Sequence, residues 1–239
     1  MDVLRMNKKY SDVLVIIPAR EGSKGLVDKN IKPFNGVPLV LKTLYQALRL
    51  FPKENVFVST DSEKYKRIIE STTNFLVKEL RPQSLSDDTA SNDGYISHAL
   101  RLLSDELNPK WLLILQCTSP LRSDNDIKDI VELRNEDTDL ISSVFKTENN
   151  PYYLHRTVNQ SGYLRPLIKN DFRRRQDCPV VYELNGAMFL LNIKSFIAND
   201  HSMFGLDRVK PFIMPHERSI DIDNELDFEL AEFMEHIKV

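Results

Sequence analysis

Only two cysteines occur in this sequence, Cys117 and Cys178, far apart and without metal-ligand spacing. Two such thiols exclude a disulfide framework in a chain of this size and fit a reducing compartment. Glycine is also scarce: 7 Gly and 12 Pro beside 41% hydrophobic residues exclude a fibrous or disordered chain. No apolar run approaches the roughly 18 residues of a membrane span, and the opening MDVLRMNKKYSD has no apolar stretch like that of a signal peptide. The expected setting is the cytoplasm, away from membranes. Positive charge is not in excess either, because the net charge of −3 provides no general field for nucleic acid. The chain lacks the P-loop pattern G-x-x-x-x-G-K-[ST], and its first strand-to-helix turn lacks G-x-G-x-x-G.

What is present is an alternation of strand and helix signals over the first 145 residues. DVLVIIP (Asp12 to Pro18), NVFVST (Asn55 to Thr60), WLLILQ (Trp111 to Gln116) and DLISSVF (Asp139 to Phe145) are short apolar runs of the kind that forms strands covered on both faces. Helical spacing separates them: Leu41, Leu44 and Leu48 after Pro38, then Tyr65, Ile68 and Ile69 after Ser62, then Ile96, Ala99, Leu100 and Leu103. Ser123 with Asp126 has the spacing of a capping box. The pattern predicts one α/β domain over residues 1–239 with a mostly parallel sheet. It breaks between Lys146 and Val181, where prolines, tyrosines and Arg173, Arg174 and Arg175 suggest an insertion of hairpins or loops. Near the end, Leu226, Leu230, Phe233 and Ile237 share one stripe of a helix, the usual mark of a core-facing side.

Two constellations carry chemistry. The loop AREGSKGLVDKN follows the first strand, the usual phosphate cradle of an open α/β sheet. Gly22 and Gly25 let its backbone turn closely, while Arg20, Lys24 and Lys29 supply charge for a polyanion. A solvated connecting loop is the competing reading. In SIDIDNELD, an extended Ser219 to Asp223 places Asp221 and Asp223 on one side and Ile220 and Ile222 on the other. Paired carboxylates suit Mg²⁺, which commonly takes one or two of them plus substrate phosphate. Here the alternative is an acidic helix start, with Asp223 or Asn224 as the cap and Glu225 and Asp227 in the first turn. Together, a phosphate cradle and a metal pair are what phosphoryl or nucleotidyl transfer requires.

Six stretches in order, IPAREGSKGLVDKN, STDS, RPQSLSDDTAS, QCTSPLR, NGAMF and SIDID, resemble the motifs of the acylneuraminate cytidylyltransferases, the CMP-sialic acid synthetases. The resemblance covers about Val13 to Ile237. It implies a Rossmann-like GT-A nucleotidyltransferase sheet, with residues 146–181 an inserted dimerisation arm, in a homodimer that joins CTP to a nine-carbon 2-keto sugar acid. By motif position, Arg20, Lys24 and Lys29 would hold the triphosphate, Asn30, Arg81 and Ser91 the cytidine, and Asp221 and Asp223 a Mg²⁺ or Mn²⁺ ion. Gln116, Asn185 and Phe189 would line the sugar pocket together with Phe204, and Arg175 would reach into the partner's site. Departures from the family pattern are Cys117 for a usual proline, Asp28 for a frequent glycine, Asn92 for a serine and Phe189 for a frequent tyrosine. The missing hydroxyl at Phe189 leaves N-acetylneuraminate, legionaminate and pseudaminate open. A general base is not identifiable from His216 or His98, and Arg122 and Asp61 read as structural or capping groups. A GT-A glycosyltransferase consuming a nucleotide sugar, and a cytidylyltransferase for eight-carbon keto acids, are the alternative functions.

Overall fold

A computed structural model describes residues 9–23, 25–87, 91–103 and 107–237, so Lys24 lies outside the described residues. In chain order the elements are β1 (Val13–Pro18), β2 (Pro33–Phe34), β3 (Val37–Pro38), α1 (Leu39–Leu50), β4 (Val56–Ser59), α2 (Glu63–Thr72), α3 (Asn92–Leu103) and β5 (Trp111–Leu115). They continue with α4 (Asp124–Glu132), β6 (Leu140–Lys146), β7 (Arg156–Val158), β8 (Leu164–Pro166), β9 (Tyr182–Asn192), α5 (Ile193–Ala198), β10 (Val209–Ile213) and α6 (Glu225–His236). Short 3-10 turns link several of them.

The main sheet has the order β10-β6-β9-β5-β1-β4. β1 runs parallel to β4 and β5, and β6 parallel to β10, while β9 is antiparallel to both β5 and β6. Alternate residues of the central strands enter opposite core layers, as the two-residue repeat of a strand requires. Val13, Val15, Ile17, Leu113 and Leu115 pack on one side with Leu44 of α1, Ile127 of α4 and Phe228 of α6. Leu14, Ile16, Leu112 and Ile114 pack on the other with Ile96 and Ala99 of α3 and Phe196 of α5. Burying a leucine side chain in this way contributes about 2 kcal/mol relative to leaving it exposed.

Caps fix where the helices start. Ser62 Oγ accepts from the Tyr65 amide at the start of α2. Ser123 and Asp126 form the expected capping box on α4. The Asp126 carboxylate also takes two bonds from Arg218, which ties α4 to the turn just before the acidic segment.

β9 carries a bulge, since its register against β6 shifts between Ser142 and Val144. Gly186 occupies the bulge with φ of 68°, a left-handed value that a residue with a Cβ rarely adopts. Residues 147–181 leave the sheet between β6 and β9 and include the small antiparallel hairpin of β7 and β8.

One expectation is corrected by the packing of α6. Leu226, Leu230, Phe233 and Ile237 do share a stripe, but that stripe is exposed. The buried side is Phe228 and Ala231, with Phe228 edge-on to Phe34 at 5.6 Å. Polar contacts fix this orientation: Glu232 accepts from the Asn35 amide, and Glu235 from Asn35 Nδ2 and Lys42.

Candidate active site

A cleft of about 440 Å³ opens at the carboxyl ends of β1 and β5. Its wall includes Arg20, Gly25, Lys29, Asn30, Arg81 and Ser91, with Tyr95, Gln116, Thr118 and Asp223 completing much of the rest. The basic loop and the late acidic segment therefore meet, although nearly two hundred residues separate them. A Cβ placed on Gly25 would lie 2.2 Å from the Asp223 carbonyl oxygen, so only glycine permits this approach.

Lys29 makes the junction. It is 9% exposed, and its Nζ donates to the Ile222 carbonyl and, at 3.2 Å, to Asp223 Oδ1. This lysine thus fastens the acidic segment to the loop. Asn30 Nδ2 donates to the Arg20 carbonyl at 3.0 Å and braces the loop from within. Arg20 Nη1 reaches the Ser86 carbonyl at 3.3 Å. Asp28 has φ of 55°, which accounts physically for the frequent glycine at that position, and its carboxylate is held by Lys64 at 2.6 Å and Tyr65 Oη at 3.1 Å. The Lys64 hydrogen bond, the larger cause, keeps that carboxyl below its ordinary pKa.

The acidic segment shows the alternation expected of it. Ile222 is fully buried, and its amide donates to the Thr118 carbonyl at 2.8 Å, while Asp221 and Asp223 stay open to solvent. Helix capping is also real, but it falls to Asn224 and Asp227, which leaves both preceding carboxylates outside the helix. Protein packed around Asp221 raises its carboxyl pKa, neighbouring Asp223 adds to the effect, and a hydrogen bond from Thr118 opposes it.

Beneath the cleft lies Arg122, 1% exposed. Its Nη1 donates to the carbonyls of Gln116 at 2.8 Å and Ala187 at 3.0 Å, joining the end of β5 to the bulge in β9. Burial brings this guanidinium down to about 10. Burial likewise pushes the neighbouring Cys117 thiol up to about 12, so this residue is a packing group rather than a nucleophile. Arg81 is held by Ser59 through Nε at 3.0 Å and Nη2 at 2.7 Å, and burial lowers its pKa.

Not every implied residue reaches the cleft. Asn185 is buried in the β9 bulge, where Oδ1 accepts from Ser143 Oγ and the Ala187 amide and Nδ2 donates to Ser219 Oγ at 2.9 Å. Its amide is joined to the acidic segment through Ser219. Phe189 packs, partly buried, against the α3 side of the sheet. Phe204 is 92% exposed, on a loop tied to α3 by Asp93, which accepts from Ser202 Oγ and the Met203 amide. Arg175 stands in the insertion, paired with Glu148 beside a second recess. His98 is buried against Glu79, and His216 lies tilted against Phe145 with the ring centroids 4.9 Å apart. Thr118 and Tyr95 were not singled out by the sequence. Thr118 follows Gln116 by two residues at a strand end, a spacing that places both on one side, whereas Tyr95 gave no signal beyond an apolar helix position.

A family model described as cytidylyltransferase matches residues 14–217. The chain belongs to the cytidylyltransferase family. Within that family it is 36% identical over 222 residues to an N-acylneuraminate cytidylyltransferase of Escherichia coli O18:K1:H7, a match covering 92% of this chain and 51% of that protein. The chain thus spans about half the length of that relative and of a similar one from Streptococcus agalactiae. It is 30% identical to the CMP-N,N'-diacetyllegionaminic acid synthase of Legionella pneumophila, over 92% of this chain and 94% of that one. Among solved structures, a CMP:2-keto-3-deoxy-manno-octonic acid synthetase complexed with CTP superposes with a TM-score of 0.68 at 14% identity, covering 95% of this chain and 99% of that one. The cytidylyltransferase architecture is thereby shared where sequence identity is low.

Proposed function

We propose that this chain transfers CMP from CTP to the anomeric hydroxyl of a nine-carbon 2-keto sugar acid, N-acetylneuraminate, legionaminate or pseudaminate, and releases pyrophosphate. The observation that carries the reading is the contact of Gly25 with Asp223, which brings a cationic loop and Asp223 of the acidic segment to one cleft. The relatives named for N-acylneuraminate and diacetyllegionaminic acid chemistry support the substrate class.

In this reading the sugar hydroxyl attacks the α-phosphorus in line with the departing pyrophosphate. Arg20 on the cleft wall, and Lys24 by its place in the same loop, stabilise the charge that grows on the leaving group. Lys29 keeps Asp223 in position, and Asn185 does the same for the segment through Ser219. Asn30, Arg81 and Ser91 face the cytidine, and Gln116 faces the sugar acid.

Asp221 and Asp223 are the residues that would hold Mg²⁺ or Mn²⁺. Their hard oxygens on either side of buried Ile222 fit an ion completed by substrate phosphate, and among the described residues no group of three or more His, Cys, Asp or Glu forms a closed metal cage. When bound, such an ion neutralises phosphate charge and makes the attacking hydroxyl easier to deprotonate.

The active form is a homodimer in the cytoplasm. Val158, Tyr163, Leu164 and Leu167 of the insertion are all more than half exposed, an apolar surface suited to a second copy of the chain. Arg175 on the same arm serves the partner's sugar site. Both cysteines are free thiols, in keeping with a reducing compartment.

The test is an endpoint assay of pyrophosphate release from CTP with a panel of nine-carbon and eight-carbon keto acids, with and without Mg²⁺. Product is expected with a nine-carbon acid and only in the presence of the ion. Turnover of eight-carbon acids alone, or consumption of a nucleotide sugar instead of CTP, would overturn the reading.

A further inference from the structure

Tyr95 enters the cleft from the first turn of α3 and is 5% exposed. Among the described residues, four buried side-chain polar atoms lack a hydrogen-bond partner, and of these Tyr95 Oη alone belongs to the cleft wall. A buried hydroxyl left in this condition costs the folded protein the hydration it has lost, and a phenylalanine of the same shape would avoid that cost. The phenol is also held in place. Arg81 lies over its ring with Cζ 4.9 Å from the centroid, Ser59 fixes Arg81, and the ring packs in the layer formed by Ile96, Ala99 and Ile114.

We infer that Tyr95 is a specificity residue whose hydroxyl donates a hydrogen bond to an oxygen of the bound substrate. The inference rests on the reaction proposed above. Burial raises the pKa of this phenol well above its usual value; the Arg81 charge and the nearby Gln116 side chain, which influences the phenol without forming a hydrogen bond of normal geometry, offset it only in part, so the group remains a donor at working pH. Its two neighbours on the wall limit the source of the acceptor oxygen. Arg81 belongs to the proposed cytidine end and Gln116 to the proposed sugar end, so the acceptor is an oxygen of the nucleoside or of the sugar acid. Discrimination follows, because a substrate lacking that oxygen would leave the hydroxyl unpaired in a closed site.

The experiment is Tyr95→Phe in the full chain, which keeps the ring, its packing and the Arg81 stack. KM for CTP and KM for the accepted sugar acid are measured separately, with the melting temperature as a control of folding. One of the two KM values is expected to rise about tenfold, as loss of one hydrogen bond would give, while the other stays unchanged and the melting temperature holds or rises. A rise for CTP assigns the nucleoside, and a rise for the acid assigns the sugar. With an active wild type, equal KM values in both proteins overturn the inference and leave the proposed reaction standing. If the wild type turns over no acid, that reaction falls, and calorimetric CTP binding decides the inference: weaker binding by Tyr95→Phe supports it, equal binding ends it.

Discussion

Gly25 and Asp223 touch backbone to backbone, with room for a hydrogen and none for a methyl group. Gly25→Ala must therefore push the basic loop away from the acidic segment. Overpacking of this kind costs about 1–3 kcal/mol of stability. The larger expected effect is on catalysis, with turnover reduced roughly a hundredfold, as an ångström of misplacement in a reacting site can produce. Steady-state kinetics check this, and wild-type turnover in Gly25→Ala would show that the junction is not part of the reacting site.

Arg122 joins two strands through the carbonyls of Gln116 and Ala187. Arg122→Met fills similar volume but leaves the Gln116 carbonyl without this donor, while the Ala187 carbonyl keeps the Gln116 amide at 3.2 Å. The expected loss is about 1–3 kcal/mol, the cost of one buried acceptor left unsatisfied. Urea unfolding measures it, and a loss near zero would mean that water enters to replace the guanidinium.

Acid stability should depend on Asp139. Its carboxyl is held at about 2, below the ordinary 3.8, first by the Arg208 hydrogen bond and then by Ser195 and the Arg208 amide, against a smaller opposing effect of burial. Because the folded value lies below the unfolded one, this contribution is fully present above about pH 4 and is lost as pH falls through about 2. Asp139→Asn should lower stability at neutral pH and flatten the decline across that window. Urea midpoints measured against pH decide the matter, and an unchanged acid limb in the variant would remove Asp139 from the account.

The insertion offers a test of assembly. Val158→Glu together with Leu164→Glu places two charges on exposed strand positions of β7 and β8 that touch no core. Sedimentation should shift from dimer to monomer mass while the melting temperature of the sheet changes little. A dimer that survives both substitutions would place the contact elsewhere.

Much of the architecture was legible where local physics acts alone. β1, β4, β5 and β6 follow from apolar runs, and the Ser123 to Asp126 box marks the start of α4 to the residue. The meeting of the loop with the acidic segment at Asp223 was also foreseeable, from charge and spacing. Direction and partner choice were not. Nothing in NGAMFLLNI says that β9 runs against its neighbours or bulges at Gly186, because both are set by the strands on either side. For α6, periodicity found the apolar stripe, yet Phe228, with Asn35 and Lys42 on the facing surface, turned that stripe to solvent. Lys29 is a similar case. A lysine in a phosphate loop suggests a ligand, whereas only the folded molecule shows it bound to Ile222 and Asp223.

The reversed course of β9 has a further consequence. β6 ends, and β9 begins, at the same margin of the sheet where β1 and β5 deliver the cleft, and the Thr147 amide bonds the Val181 carbonyl at 3.1 Å across the root. Residues 147–181 are therefore a module with entry and exit side by side, free to change in length or sequence without altering strand register. Exchanging it at that root would leave the walls of the cleft, none of which it supplies, intact.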